Sequence, residues 1–371
     1  MTKRRRRIMK NLNNKKPIAM RLKGLFCVSF VALAISACNT RLEPVTRNAL
    51  SPEAAFDSLV TYMESTGDFI NSPLAPAMIT APQLYNMLDS NILIIDMRNA
   101  DEFASAHIPN AINVPFTQLL NFFEGKINPS SFHAIALVCT AGQTASYATS
   151  ILRFLGYDNV YALKWGFCSW HKETAEKRWI PRRSSKFSEV LERTNNVKNP
   201  AGNFPSIKTQ EKYGFTILRE RAHMLFAEDF NPVTIFADTL FETGKNFYIV
   251  NYWPEPLYSI GHIPGAIQYQ PKQALKRTEQ LNTLPLDKPV VIYGYTGQQS
   301  SFVTAYLRLL GYDARTLTYG ANGFMHSLML ENGIVNAFTE SEVYNLPVAS
   351  GSSAELKLEK VEVAAAPKGG C

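Results

Sequence analysis

Ala134-Ile-Ala-Leu-Val138-Cys139-Thr140-Ala141-Gly142-Gln143-Thr144-Ala145 reads as a strand that delivers a cysteine into a turn of small residues, with a helix starting straight afterwards. The apolar run does not alternate with polar residues, so it suits a strand covered on both faces, as in a parallel sheet. The helical stretch that follows reaches Leu155 and stops at Gly156. Asn91–Asp96 and Asn159–Leu163 read as further buried strands, and 79–90 carries a helical period. Strands alternating with helices predict an α/β fold with a mostly parallel sheet flanked by helices.

The same pattern returns further along the chain. His107-Ile108-Pro109-x-Ala111 recurs as His262-Ile263-Pro264-x-Ala266, and Gly142-Gln143 recurs as Gly297-Gln298. Leu152-Arg153-x-Leu155-Gly156-Tyr157-Asp158 recurs as Leu307-Arg308-x-Leu310-Gly311-Tyr312-Asp313, and every pair is 155 positions apart. Three motifs at one offset mark an internal duplication. A length of 371 residues accommodates two domains of ordinary size.

The charge is concentrated at one end. Ten Lys or Arg and no Asp or Glu lie within 1–37; taking those ten from the formal +7 leaves about −3 for the rest. A nucleic-acid partner is therefore not expected. Gly24–Ala37 is too short to span a bilayer and suits a signal-peptide core. It ends Ile35-Ser36-Ala37-Cys38, which resembles the bacterial lipobox. That resemblance implies removal of 1–37, lipid on Cys38, and export to the cell envelope with the membrane held through that lipid. A plain anchor helix or a buried helix is the alternative. With Cys27 discarded and Cys38 lipidated, Cys139, Cys168 and Cys371 remain, an odd number that leaves at least one thiol unpaired within the chain.

In the Cys139 loop, successive backbone N–H groups can converge on the sulfur, and the following helix N-terminus adds positive potential. Both lower a thiol's pKa and stabilise a persulfide anion. Gly142 permits the tight turn. From the loop alone, a packing cysteine and a reactive one both remain open. The neighbourhood adds more: Asp96-Met97-Arg98, Glu102-Phe103, His107-Ile108-Pro109, the Cys139 loop, Gly156-Tyr157-Asp158, Trp165-Gly166 and Trp170. In order and spacing these resemble the rhodanese family, once per copy, over about two-thirds of the mature chain. The resemblance implies that Cys139 is the nucleophile of a sulfurtransferase and that Thr140, Ala141, Gly142, Gln143 and Thr144 form the loop that binds the substrate's anionic group. It further implies that Asp96 and Arg98 play a supporting part, bracing the loop rather than acting as an acid/base pair.

Two departures from the family matter. Many thiosulfate-using relatives have basic residues in the loop, whereas here a doubly charged donor would rely on backbone dipoles and on Thr140, Gln143 and Thr144. Rhodanese-like phosphatases use a longer loop ending in arginine, which this chain lacks. In the second copy Cys139 becomes Gly294, and Asp96 and Arg98 become Asn251 and Trp253. A glycine cannot carry sulfur. That copy is left to bind an anion, recognise a partner or complete the packing.

The expected organisation is a signal peptide at 1–37, a linker with a helix at 38–71 and a catalytic rhodanese-like domain at 72–183. A connector at 184–229, with a helix near Gln210–Leu225, leads to an inactive copy at 230–345 and a flexible tail at 346–371. No organic cofactor is expected. No metal is expected either, since His107 opens a turn and has no ligand-spaced companion. The expected partners are a small sulfur donor and a thiol acceptor. Two further readings remain: a non-catalytic binding module, and a thiol-redox protein pairing Cys139 with Cys168 or Cys371. Cys168 is either a resolving thiol or inert packing; Cys371 is either a tethered sulfur acceptor or a solvated end.

Overall fold

The run 134–138 forms the central strand β4 (Ala134–Val138), every residue of it buried. A computed structural model describes residues 49–352; Cys38, the segment expected to be a signal peptide and Cys371 lie outside them. Around β4 stand β1 (Met78–Ile79), β2 (Ile92–Asp96), β3 (Ile112–Asn113) and β5 (Val160–Leu163), in the order β1-β5-β4-β2-β3. All neighbours are parallel. The second copy repeats this frame. Strands β6 (Thr234–Ile235), β7 (Tyr248–Asn251), β8 (Ile267–Gln268), β9 (Val290–Tyr293) and β10 (Ala314–Leu317) run β6-β10-β9-β7-β8, again all parallel. The fold is thus two tandem parallel-sheet α/β units flanked by helices.

The helices that follow the two loops, Gln143–Phe154 and Gly297–Leu309, form the seam between the copies. Ser146 meets Gln298, Ser150 donates to the Phe302 carbonyl at 2.8 Å, and Phe154 stacks on Tyr306 at 5.5 Å. These pairs climb both helices together. The helices therefore run in the same direction, and their N-terminal ends lie side by side. Small residues such as Ser146, Ser150, Ser301 and Ala305 allow the close approach, and one apolar cluster runs through both copies.

The duplicated unit is larger than its motifs. The helix Pro52–Ser65 is capped by Ser51, whose Oγ accepts from Ala54 N at 3.1 Å, and it precedes the first sheet. Its counterpart, Gly214–Ala227, precedes the second, close to the expected 210–225. Each leading helix packs on the other copy. Arg277 of the second copy grips Asp57 and Glu64, while Glu124 of the first grips Arg219 and His223.

The trailing segments cross over as well. Glu192, in the connector, exchanges backbone hydrogen bonds with His262; Ala349 exchanges them with His107. Tyr344 N and Leu346 N donate to Ser169 O and Trp170 O. The segment expected to be a free tail from 346 is thus held against the first copy as far as Gly351, whose N–H bonds to Ala104 O. Backbone pairing of this kind carries no side-chain pattern, which is why composition alone suggested a loose end.

Candidate active site

β4 ends at Val138, and the chain turns at once, leaving Cys139 at the C-terminal edge of the sheet and beside the N-terminus of the helix Gln143–Phe154. Ala145 N donates to Cys139 Sγ at 3.3 Å. The Gly142 and Thr144 amides and the Thr144 hydroxyl also favour the thiolate. The convergent cradle expected from the loop is therefore formed. Its net effect on the thiol is the reverse of the expected lowering. Burial is the largest influence and pushes the Cys139 thiol above its ordinary 9.0 despite those donors. Cys139 is only 7% exposed, so its hydrogen bonds compete with a nearly complete loss of water.

The loop residues divide by direction. Thr140 and Thr144 are half-buried, whereas Ala141, Gly142 and Gln143 are buried. Ala141 O accepts from Trp179 Nε1 at 3.2 Å, and Thr140 O accepts from Cys168 N at 3.1 Å. The Gln143 side chain turns away from the sulfur; its Oε1 accepts from Tyr319 N of the other copy at 3.2 Å. Gly166 presses the loop from behind, where a Cβ would strike Cys139 O and Gly142 N.

Asp96 ends β2 and is fully buried. Arg98 Nε lies 3.0 Å from both its carboxylate oxygens and Nη2 lies 2.5 Å from Oδ2. Nη2 also donates to Ala106 O at 2.7 Å, and the guanidinium stacks on Phe167 at 3.8 Å. With every strong partner internal, the pair ties the end of β2 to the turn at Ala106. His107 stacks on Phe103, with Nδ1 2.8 Å from Phe103 O. Cys168 is buried behind the loop among Ala141, Trp165, Trp179 and Phe338. Its Sγ donates to Thr174 O at 3.7 Å, and burial pushes its thiol up to about 12. Among the described residues, no group of three or more His, Cys, Asp or Glu is placed to hold a metal.

The rhodanese-like domain model matches residues 80–173 and 237–327. A thiosulfate sulfurtransferase, GlpE of Shewanella oneidensis, is 30% identical over 98 residues, covering 26% of this chain and 94% of that protein. The chain belongs to the rhodanese-like family. A tRNA uridine(34) hydroxylase of Buchnera aphidicola subsp. Baizongia pistaciae is 29% identical over 110 residues, 29% of this chain and 35% of that protein, so the chain spans about a third of that relative. The human single-domain sulfurtransferase TSTD1 is 24% identical, with a TM-score of 0.22, covering 28% of this chain and 99% of that one.

In the second rhodanese-like copy, Gly294 stands after β9, where Cys139 stands after β4. The carboxamide of Gln299, the counterpart of Thr144, folds into the space of the missing side chain. Its Oε1 lies 3.3 Å from where a Gly294 Cβ would be. Asn251 and Trp253 replace the ion pair, and Asn251 Nδ2 donates to Tyr293 OH at 2.8 Å. Beside this loop is a cavity of about 160 Å³, lined by Ile70, Pro76, Tyr252, Pro271, Tyr295 and Gln299 among others.

One residue packed against the loop escaped the sequence reading. Gln298 of the second copy inserts behind the Cys139 loop, almost fully buried. Its Oε1 accepts from Trp165 N at 2.6 Å, and Nε2 reaches Leu163 O at 3.2 Å and Gly142 O and Ser146 Oγ at 3.3 Å. The only signal available was the repeat itself, since Gln298 is the partner of Gln143 at the common offset.

Proposed function

We propose that the protein is a sulfurtransferase that carries sulfane sulfur on Cys139. The observation that carries this reading is the Cys139 sulfur itself, set at the end of the central strand and receiving the Ala145 N–H at the start of a helix. The thiolate attacks the sulfane sulfur of a thiosulfate- or persulfide-type donor. A new S–S bond forms to Cys139, the donor's bond to that sulfur breaks, and the leaving sulfite or thiolate departs with the electron pair. The persulfide anion then rests among the loop amides. A thiolate acceptor attacks the outer sulfur, takes it, and releases Cys139 as thiolate. Small neutral or singly charged persulfides suit a loop without basic residues better than thiosulfate does.

Lipid on Cys38 would hold this chemistry at the cell envelope. The rival reading, a non-catalytic binding module, draws on the burial of Cys139 and its raised pKa. The thiol-redox reading gains little from Cys168, whose thiol is committed to Thr174. The test is to reduce the full chain, expose it to thiosulfate or to an organic persulfide, and take intact and peptide masses. One added sulfur atom on the Cys139 peptide, absent in Cys139→Ser, is the expected result. No added sulfur with any donor, while Cys139 still alkylates, rejects the carrier reading in favour of the binding module.

A further inference from the structure

From the Gln298 contacts we infer that the cysteine-less copy sets the reactivity of Cys139, with Gln298 as the positioning residue. The inference rests on the sulfur-carrier reading for its meaning in catalysis, though not for its test. Gly142 is the hinge of the loop. It sits at φ +86°, and a Cβ there would strike the Gln298 carboxamide. Glycine turns over easily in such a position. If the peptide after Gly142 turned over, its carbonyl would leave the start of the helix, and the turn that carries the neighbouring Gly142 and Thr144 N–H donors would shift with it. Ser146 N and Oγ hold that carbonyl from within the same helix, at 3.0 and 2.8 Å. Gln298 Nε2 holds it from the other copy and is also tied to the end of β5 through Leu163 O and, by Oε1, to Trp165 N. One buried side chain thus couples the loop to the strand end behind it, and it does so from a copy that has no sulfur chemistry of its own. Removal of the buried carboxamide leaves Trp165 N unpaired and takes one of two donors from Leu163 O, which keeps Gly166 N, so the loop must shift to recover a partner.

The test reads the thiol directly. In the full chain, Cys139 alkylation by iodoacetamide is followed against pH in the native protein, in Gln298→Ala and in Gln298→Met, which keeps length but makes no hydrogen bonds. Ser150→Ala serves as the control, because it removes a seam hydrogen bond to Phe302 without touching the loop. The expected result is a midpoint raised by about one pH unit in both Gln298 variants, equivalent to roughly tenfold slower alkylation below it. Ser150→Ala should leave the profile in place. An unchanged profile in a folded Gln298 variant, or an equal shift in Ser150→Ala, overturns the inference.

Should both variants fail to fold, amide exchange in the native protein decides. Gly142 and Ala145 should be as protected as the seam helices, and faster opening of the loop alone rejects the coupling. Alkylation needs no sulfur donor. A shifted profile in a protein that never accepts sulfur would leave this coupling standing and remove the carrier reading.

Discussion

Cys139 and Gly294 occupy the same point on two copies of one frame, each after a central strand and before a seam helix. Around Cys139, Asp96 and Arg98 form a buried ion pair, and further along the first copy Phe116 packs on Tyr147 and Phe226. Around Gly294, Asn251, Trp253 and Tyr293 replace the pair, Gln299 folds into the vacant side-chain space, and Pro271 stands at the position of Phe116, bordering a cavity. The strand order is preserved without the sulfur, so the fold does not depend on the chemistry. What is retained in both copies is the glutamine that reaches across the seam: Gln143 to Tyr319, Gln298 to Trp165 and Gly142. A loop of small residues at a helix N-terminus needs bracing from outside, and here each copy supplies it to the other.

The largest contrast lies at the sulfur position. Cys139→Ser should abolish sulfur uptake measured by peptide mass. Gly294→Cys together with Gln299→Thr should create a second thiol that alkylates, whereas Gly294→Cys alone should react more slowly because Gln299 occupies its space. A single variant that reacts as fast as the double one would show that the two loops differ in more than these residues.

Next comes the buried pair. Asp96→Asn leaves the Arg98 charge without its carboxylate and should lower stability by about 3–5 kcal/mol in urea unfolding. The corresponding Asn251→Leu loses one neutral hydrogen bond to Tyr293 and should cost only about 1 kcal/mol. Equal losses would mean that the ion pair adds nothing specific to the first copy.

The thiols separate by pH. Cys139 alkylation should still be rising above pH 9, because burial holds its pKa above the ordinary value; Cys168 should react only toward pH 12. Thiols raised in the folded state stay neutral there while the unfolded chain ionises, so stability is full below about pH 9 and falls as pH climbs through the folded values. A thermal midpoint that rises between pH 9 and 11 would contradict this.

The smallest effect is expected at the exchanged helices. Glu124 is pushed up by partial burial, but Arg219 and His223 outweigh that and hold its pKa below the ordinary value. Glu124→Gln and Arg277→Gln should each cost less than about 1 kcal/mol, since one partner of each pair is open to solvent. A much larger loss for one of them would show that the two crossings are not equivalent.

Much of this was legible in the residues alone. The runs 92–96, 134–138 and 160–163 have no polar alternation, which requires sheets buried on both faces, and three motifs at one spacing required two copies of them. Cys139 stood out because its type, the small residues after it and the helix start all bear on one point, and Gly294 excluded the second copy by lacking a sulfur. What tertiary structure alone decided was which copy each part serves. The leading helices, the trailing segments and the two glutamines all cross the seam, and local pattern carries no information about partners so distant in sequence. The state of the thiol was decided there too. The loop's donors are local and readable, but the burial that outweighs them comes from packing around a core shared by both copies.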